Sequence, residues 1–393
     1  MNYNFDEIID RKNTNSIKHD FHDRRGKPAD TIPLWVADMD FRTPDPVVEA
    51  LVKSSRHGIF GYSETREDYF LTLQQWFLEN HQWDIHPSWL VKTPGVVFAI
   101  AMSVRAFTRE GDAVMIQSPV YYPFSEVIIE NGRTLINNPL VYNNGTYSMD
   151  FEDFEAKIVE NRVKLFILCN PHNPVGRVWT REELTRLGDI CIKHGVIVVS
   201  DEIHADFIYS GYRHLVFANL KPEFADITVT CTAPSKTFNL AGLQVSNIFI
   251  KNRELKAGIK HEMAKAGYSQ LNAMGLVACQ AAYQHGREWL EQLKTYLGGN
   301  LSFIREFLAE RLPDIKLVEP QGTYLVWLDF RAMGLNEAEL EKLVVNDAKL
   351  WLDSGVMFGD EGRGFQRINI ACPRSLLKKA FFQLEAAVKR LGK

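Results

Sequence analysis

VKLFILCNPHNPVGRVWTREELTRLGDICIKHGVIVVSDEIHAD, residues Val163 to Asp206, decides the architecture of this chain. VKLFILCN is a nearly continuous apolar run that stops at the turn-forming PHNPVG, the pattern of a strand covered on both faces. A helix starts at Thr180. There TREE offers a capping box, with Thr180 as N-cap and Glu183 three residues on. Gly195 stands just past His194, where a helix ends most easily on a left-handed residue. VIVVS (Val196 to Ser200) is a second apolar strand, and the polar DEIHAD closes it. Apolar strand, amphipathic helix, apolar strand predicts a parallel pair with helices packed over it.

The same pattern extends outward. DAVMIQ (Asp112 to Gln117) reads as a buried strand upstream, and ITVTCTA (Ile227 to Ala233) and SNIFIK (Ser246 to Lys251) as strands downstream. YLVWLDF (Tyr324 to Phe330) and FQRINIA (Phe365 to Ala371) are strands among helical segments and suggest a second layer. With 393 residues, two domains are expected. The expectation is a large domain over 48–288, with 1–47 and 289–393 forming a smaller one. GDEGRG (Gly359 to Gly364) reads as a mobile loop.

Composition narrows the function classes. Apolar residues make up 46%, charged residues 24%, and the net charge is −4 with basic residues dispersed. No nucleic-acid or acidic-membrane surface is expected. Apolar runs such as Val96 to Val104 are too short to span a bilayer. The five cysteines occur singly, without CxxC or HExxH. That fits reduced thiols in a cytoplasmic protein and offers no metal site. The absence of GxGxxG and of GxxxxGK[ST] argues against nucleotide binding.

In an open parallel sheet, ligands bind beyond the carboxyl ends of the strands. Asn173 follows the VKLFILCN strand, Asp201 follows VIVVS, and Lys236 follows ITVTCTA, so three polar groups can converge on one ligand. Partial burial lowers the pKa of an amine, and Lys236 in PSKTF then suits Schiff-base chemistry; the alternative is a solvated loop lysine. Asp201 either caps a helix or pairs with a protonated pyridine nitrogen. Asn173 either shapes a turn or donates to a phenolic oxygen. In TPGVVFAI (Thr93 to Ile100), Gly95 before an apolar helix is a simple turn or a phosphate cradle. Tyr121 is a core tyrosine or a ring-stacking one. Arg367, inside an apolar strand, needs a carboxylate, supplied by a substrate or by an internal salt bridge.

NPHNPVGR, SDEIHAD and APSKTFNLAGLQ, in that order, resemble the signature of fold-type I pyridoxal-phosphate enzymes of the aspartate-aminotransferase superfamily. More narrowly, WVADMDF (Trp35 to Phe41), GIFGYS (Gly58 to Ser63), TPGVVFAI, SPVYYPF, GTYLVWLDF and RINIACPRS resemble the MalY/PatB group of cystathionine β-lyases. The resemblance runs from about Trp35 to Arg374. It implies a mainly parallel seven-stranded sheet sandwiched by helices, plus a smaller α+β domain. It also implies pyridoxal 5′-phosphate as cofactor and an S-substituted cysteine as substrate. Lys236 would carry the Schiff base, Asp201 the pyridine nitrogen, and Asn173 and His204 the phenolic edge, with Tyr121 stacked on the ring. Gly95 and the amides of Val96 and Val97 would hold the phosphate, helped by Ser235 or Thr232. Tyr62 would reach the phosphate of a neighbouring subunit, making the protein a homodimer. Arg367 would clamp the substrate carboxylate, with the backbone at Ala37 and Asp38 closing over it. Tyr121 or Tyr62 would help Lys236 lose its proton.

One departure is informative. Many aminotransferases of this fold carry a phosphate-binding arginine eight residues after the lysine, where this chain has Gln244. That favours elimination and leaves more of the phosphate's charge to backbone amides. Transamination remains the rival reading within the fold, and a regulatory protein-binding role, alone or beside catalysis, is the reading from another class.

Overall fold

The computed structural model describes residues 3–392. Among these, seven strands form the larger sheet: β1 (Leu90–Thr93), β2 (Ala113–Ile116), β3 (Thr134–Asn137), β4 (Leu165–Cys169), β5 (Ile197–Asp201), β6 (Thr228–Thr232) and β7 (Ser246–Phe249). Their spatial order is β1-β7-β6-β5-β4-β2-β3. Only β7 runs against its neighbours. β4, β5 and β6 are adjacent, as the alternation of apolar strands and helices predicts. β4 and β6 are buried along their whole length. That is why LFILC in β4 shows no inside–outside alternation, while the threonines that alternate through TVTCT in β6 are buried with their apolar neighbours.

The helix between β4 and β5 spans Arg181–His194 with both halves of the capping box made: Thr180 Oγ1 accepts from the Glu183 amide and the Glu183 carboxylate accepts from the Thr180 amide. Gly195 closes it at φ 65°, donating its N–H to the Cys191 and Ile192 carbonyls. Its packing is tight at the middle of the helix: a Cβ on Gly188 would lie 2.4 Å from the Phe224 ring.

A second, antiparallel sheet comprises β8 (Lys316–Val318), β9 (Leu325–Asp329), β10 (Asp353–Ser354) and β11 (Phe365–Asn369), in the order β8-β9-β11-β10. YLVWLDF and FQRINIA are thus paired strands, with Trp327 opposite Arg367. GDEGRG is not a mobile loop. It forms a short 3-10 turn over Asp360–Gly362 packed on another over Gly355–Phe358. A Cβ on Gly362 would lie 2.0 Å from the Gly355 carbonyl oxygen, so these glycines serve close backbone approach rather than freedom. Glu361 also accepts from Ser118 Oγ at 2.5 Å and Asn137 Nδ2 at 3.1 Å, anchoring the turn to the larger sheet. No helix among the described residues is long and apolar enough to cross a membrane.

Candidate active site

Three neighbouring strands end at one place. β5 finishes on Asp201 itself, β6 finishes on Thr232 four residues before Lys236, and the loop after β4 carries Asn173. Pro234–Thr237 form a single helical turn that carries Lys236. The Lys236 amine donates to the Ala37 carbonyl at 3.1 Å. Burial pushes its pKa down to about 8; the carboxylates of Asp38 and Asp201 oppose that and the Arg367 guanidinium adds to it.

Asp201 is 5% exposed, and burial pushes its carboxyl up to about 7 although the Ile203 amide donates to it at 3.1 Å. A carboxyl so placed shares a proton readily with a ring nitrogen brought beside it. His204 is buried with its Nδ1 unpartnered, and its pKa lies well below the usual imidazole value, chiefly from burial and then from Lys236 and Arg367. A neutral imidazole with an open nitrogen suits a hydrogen bond at a ligand's edge. Its ring packs edge-on to Tyr324 at 5.9 Å.

Thr93 closes β1 and Gly95 caps the apolar helix Val96–Phe107. The first amides of a helix have no carbonyl to bind within it, so those of Val96 and Val97 are donors for a ligand. A Cβ built at Gly95 meets no atom within 4 Å, so the space beside these amides is open. Thr232 and Ser235 differ. The Thr232 hydroxyl donates to the Asn247 carbonyl at 2.7 Å and is committed to the sheet. Ser235, half-buried on the turn with Lys236, has no such bond among the described residues and is the freer donor. Open amides, a buried carboxyl, an unpartnered imidazole and a depressed amine fit a phosphorylated pyridine aldehyde.

Arg367 lies 3% exposed on β11 and combines an internal carboxylate partner with spare donor capacity. One Nη donates to Asn173 Oδ1 at 3.0 Å, the other to the Trp35 carbonyl at 3.1 Å and to the Asp353 carboxylate. Its Nε remains buried without a partner. The salt bridge is real, and donor capacity remains beyond it. Asp353, on β10, was hidden from sequence reasoning. The signal was a carboxylate closing the apolar LWLD run, the complement of Arg367.

The segment around Ala37 and Asp38 is held from several sides. Asn369 Nδ2 donates to the Val36 and Asp38 carbonyls, both at 2.7 Å, and the Tyr324 hydroxyl to Ala37 O at 2.9 Å. Arg11 meets the Asp38 carboxylate at 2.5 Å. Tyr324 and Asn369 also escaped the sequence reading, because they sit inside apolar strands that look purely structural. The Tyr121 amide donates to the Asn173 carbonyl at 3.1 Å, and its ring packs on Phe124 and Tyr122. Burial raises its hydroxyl far above the usual range, so Tyr121 is a neutral phenol. Tyr62 stands apart. It is 99% exposed, in a groove it shares with Phe60, Gln244, Tyr268 and Asn272.

The sequence profile described as aminotransferase class I and II matches residues 29–382. The chain is 44% identical to cystathionine beta-lyase PatB of Bacillus subtilis over 98% of this chain and 100% of that protein. It is similar to the structure of cystalysin from Treponema denticola containing pyridoxal 5′-phosphate, with TM-score 0.96 and 38% identity over the whole of both chains. It is also similar to the PLP-bound C-S lyase from Staphylococcus hominis, with TM-score 0.92 and 34% identity over 98% of each chain.

Proposed function

The chain belongs to the aminotransferase class I and II family, and on that premise we propose that it is a pyridoxal-phosphate-dependent carbon–sulfur β-lyase. With one water, it cleaves L-cystathionine or a related S-substituted cysteine to a thiol, pyruvate and ammonia, the water hydrolysing the enamine left after the thiolate departs. The observation that carries the reading is a half-buried lysine amine whose pKa falls to about 8, one strand from a buried carboxyl and beside an arginine able to take a carboxylate.

Pyridoxal phosphate, when bound, supplies an aldehyde carbon for capture of the amine and a conjugated ring that draws in the electrons of the broken Cα–H bond. Asp201 would hold a proton at the ring nitrogen and so keep that ring electron-poor. The Asn173 side chain, its Oδ1 occupied by Arg367, would offer its Nδ2 to the phenolic oxygen, with His204 at the same edge. The amides of Val96 and Val97 and the Ser235 hydroxyl would hold the phosphate at Gly95. Tyr121 would stack on the ring.

Arg367 orients the substrate through its α-carboxylate, and Lys236 Nζ takes the proton from Cα. With a pKa near 8, a substantial share of that amine is neutral at physiological pH, as a base must be. Electrons from Cα then expel the thiolate from Cβ. The Ala37 carbonyl, the hydrogen-bond partner of Lys236, keeps the amine in place before substrate arrives. The lack of a cation at Gln244 supports elimination over amino transfer.

We further propose a cytoplasmic homodimer. The exposed apolar stretch Ile59, Phe60 and Tyr62 supports it, since such residues facing water in a row favour an interface. In that dimer Tyr62 reaches the neighbouring subunit's phosphate.

The test is to supply L-cystathionine and assay pyruvate and thiol release against keto-acid-dependent amino transfer. Stoichiometric pyruvate and thiol support the lyase. Amino transfer without thiol release establishes the aminotransferase instead.

A further inference from the structure

Two guanidinium groups share one residue, Trp35. Its carbonyl accepts from Arg367 at 3.1 Å, while its indole lies under Arg25, whose guanidinium carbon is 5.3 Å from the ring centre. The indole is in turn stacked on Trp351, with ring centres 4.4 Å apart and planes 9° from parallel. His22 packs edge-on to Trp351 at 5.0 Å. Arg25 therefore rests on a rigid aromatic platform that is tied directly to the carboxylate clamp.

Of the neighbouring cations, Arg24 stacks over the Phe21 ring and the others are paired. Lys27 pairs with Glu341, Arg11 with Asp38 and Asp40, Lys18 with Asp40, and Arg367 with Asp353. Arg25 is exposed and forms no ion pair among the described residues. Stacking on a ring face fixes a guanidinium plane without using its N–H donors. Burial raises the pKa of the half-buried Tyr122 hydroxyl while both Arg367 and Arg25 lower it, so both lie within electrostatic reach of that residue.

We propose that Arg25 determines specificity by binding an anionic group, a carboxylate above all, at the end of the sulfur substituent remote from the reacting amino acid. This rests on the lyase reading and narrows its substrate class. Cysteine thioethers and disulfides that end in a second carboxylate, such as L-cystathionine and L-cystine, are preferred over neutral S-alkyl cysteines. A substrate with a carboxylate at each end spans Trp35, one end on Arg367 and the other on Arg25. The planar fork of arginine suits a carboxylate in two-point contact. Because Arg25 is exposed, solvent limits the gain to roughly tenfold.

The experiment compares kcat/KM of the holoenzyme and of Arg25→Gln and Arg25→Glu on L-cystathionine, S-methyl-L-cysteine and S-(2-aminoethyl)-L-cysteine. In Arg25→Gln the value for L-cystathionine falls roughly tenfold, through KM rather than kcat, while S-methyl-L-cysteine changes by less than about twofold. Arg25→Glu lowers L-cystathionine further and improves the cationic S-(2-aminoethyl)-L-cysteine, a swap that a structural defect cannot produce. Equal losses on all three substrates, or none, overturn the role of Arg25 while the lyase reading stands. No thiol or pyruvate from any substrate with the unaltered protein removes the lyase reading itself.

Discussion

Arg367 and Asn173, 194 positions apart in the sequence, meet through a 3.0 Å hydrogen bond from Arg367 Nη1 to Asn173 Oδ1. The bond joins β11 of the smaller sheet to the loop after β4 of the larger one. It also turns the Asn173 amide, leaving its Nδ2 as the donor that faces a ligand. The group that binds substrate and a group that binds cofactor thus fix each other's orientation.

Asn173→Asp tests that coupling. The variant places a second carboxylate against Arg367, beside Asp353, and removes the Nδ2 donor. KM for the amino-acid substrate is expected to rise about tenfold, from repulsion of the substrate carboxylate. A shift of the bound cofactor's absorbance should accompany it. An unchanged KM means that Asn173 and Arg367 act independently.

Removing the internal partner has a different signature. Arg367 and Asp353 are each 3% exposed, and burial raises the Asp353 carboxyl while Arg367 pulls it back. Asp353→Asn leaves a buried guanidinium uncompensated, and the cost is about 3–5 kcal/mol. Urea unfolding of the cofactor-free protein should show that loss. A non-reactive amino acid should stabilise the variant more than the parent, because its carboxylate replaces the missing one.

Lys236→Met separates the electrostatic cost of the amine from its chemistry. The amine titrates at about 8 in the folded chain, against 10.5 for a free lysine. Below pH 8 it is charged in both states and folding bears the whole difference, roughly 3 kcal/mol. Between pH 8 and 10.5 the folded amine has lost its proton while the unfolded one keeps it, so the cost shrinks as pH rises. Cofactor-free Lys236→Met should therefore exceed the parent in stability at pH 7, and the excess should fall markedly by pH 10. Turnover is abolished at every pH. A pH-independent difference contradicts the depressed amine.

Gly95→Ala distinguishes the phosphate site from an ordinary turn. Gly95 has φ 172°, extended backbone that alanine adopts, and a Cβ there touches nothing within 4 Å. The cofactor-free protein should keep its stability within about 0.5 kcal/mol. Pyridoxal phosphate affinity should drop about tenfold, because the methyl occupies space beside the amides of Val96 and Val97. Unaltered affinity places the phosphate elsewhere.

Several elements were legible because their signals are local. Capping at Thr180 and Gly195 and the apolar runs that open β5 and fill β4 depend on residues a few positions apart. So does the placement of Asn173, Asp201 and Lys236 at or just past the ends of three strands. The packed turn at Gly359–Gly364 was misread because glycine gives one signal for freedom and for close approach.

The order of motifs along the chain determined the fold class and the cofactor chemistry, since strand burial and strand-end position follow from residue type and spacing. Which groups touch was decided only by the folded chain. Arg367 with Asp353 and Asn173, Ala37 with Lys236 and Tyr324, and Arg25 over Trp35 are contacts between distant segments. Their direction is set by how two sheets and the amino-terminal segment pack, and no short-range pattern encodes that.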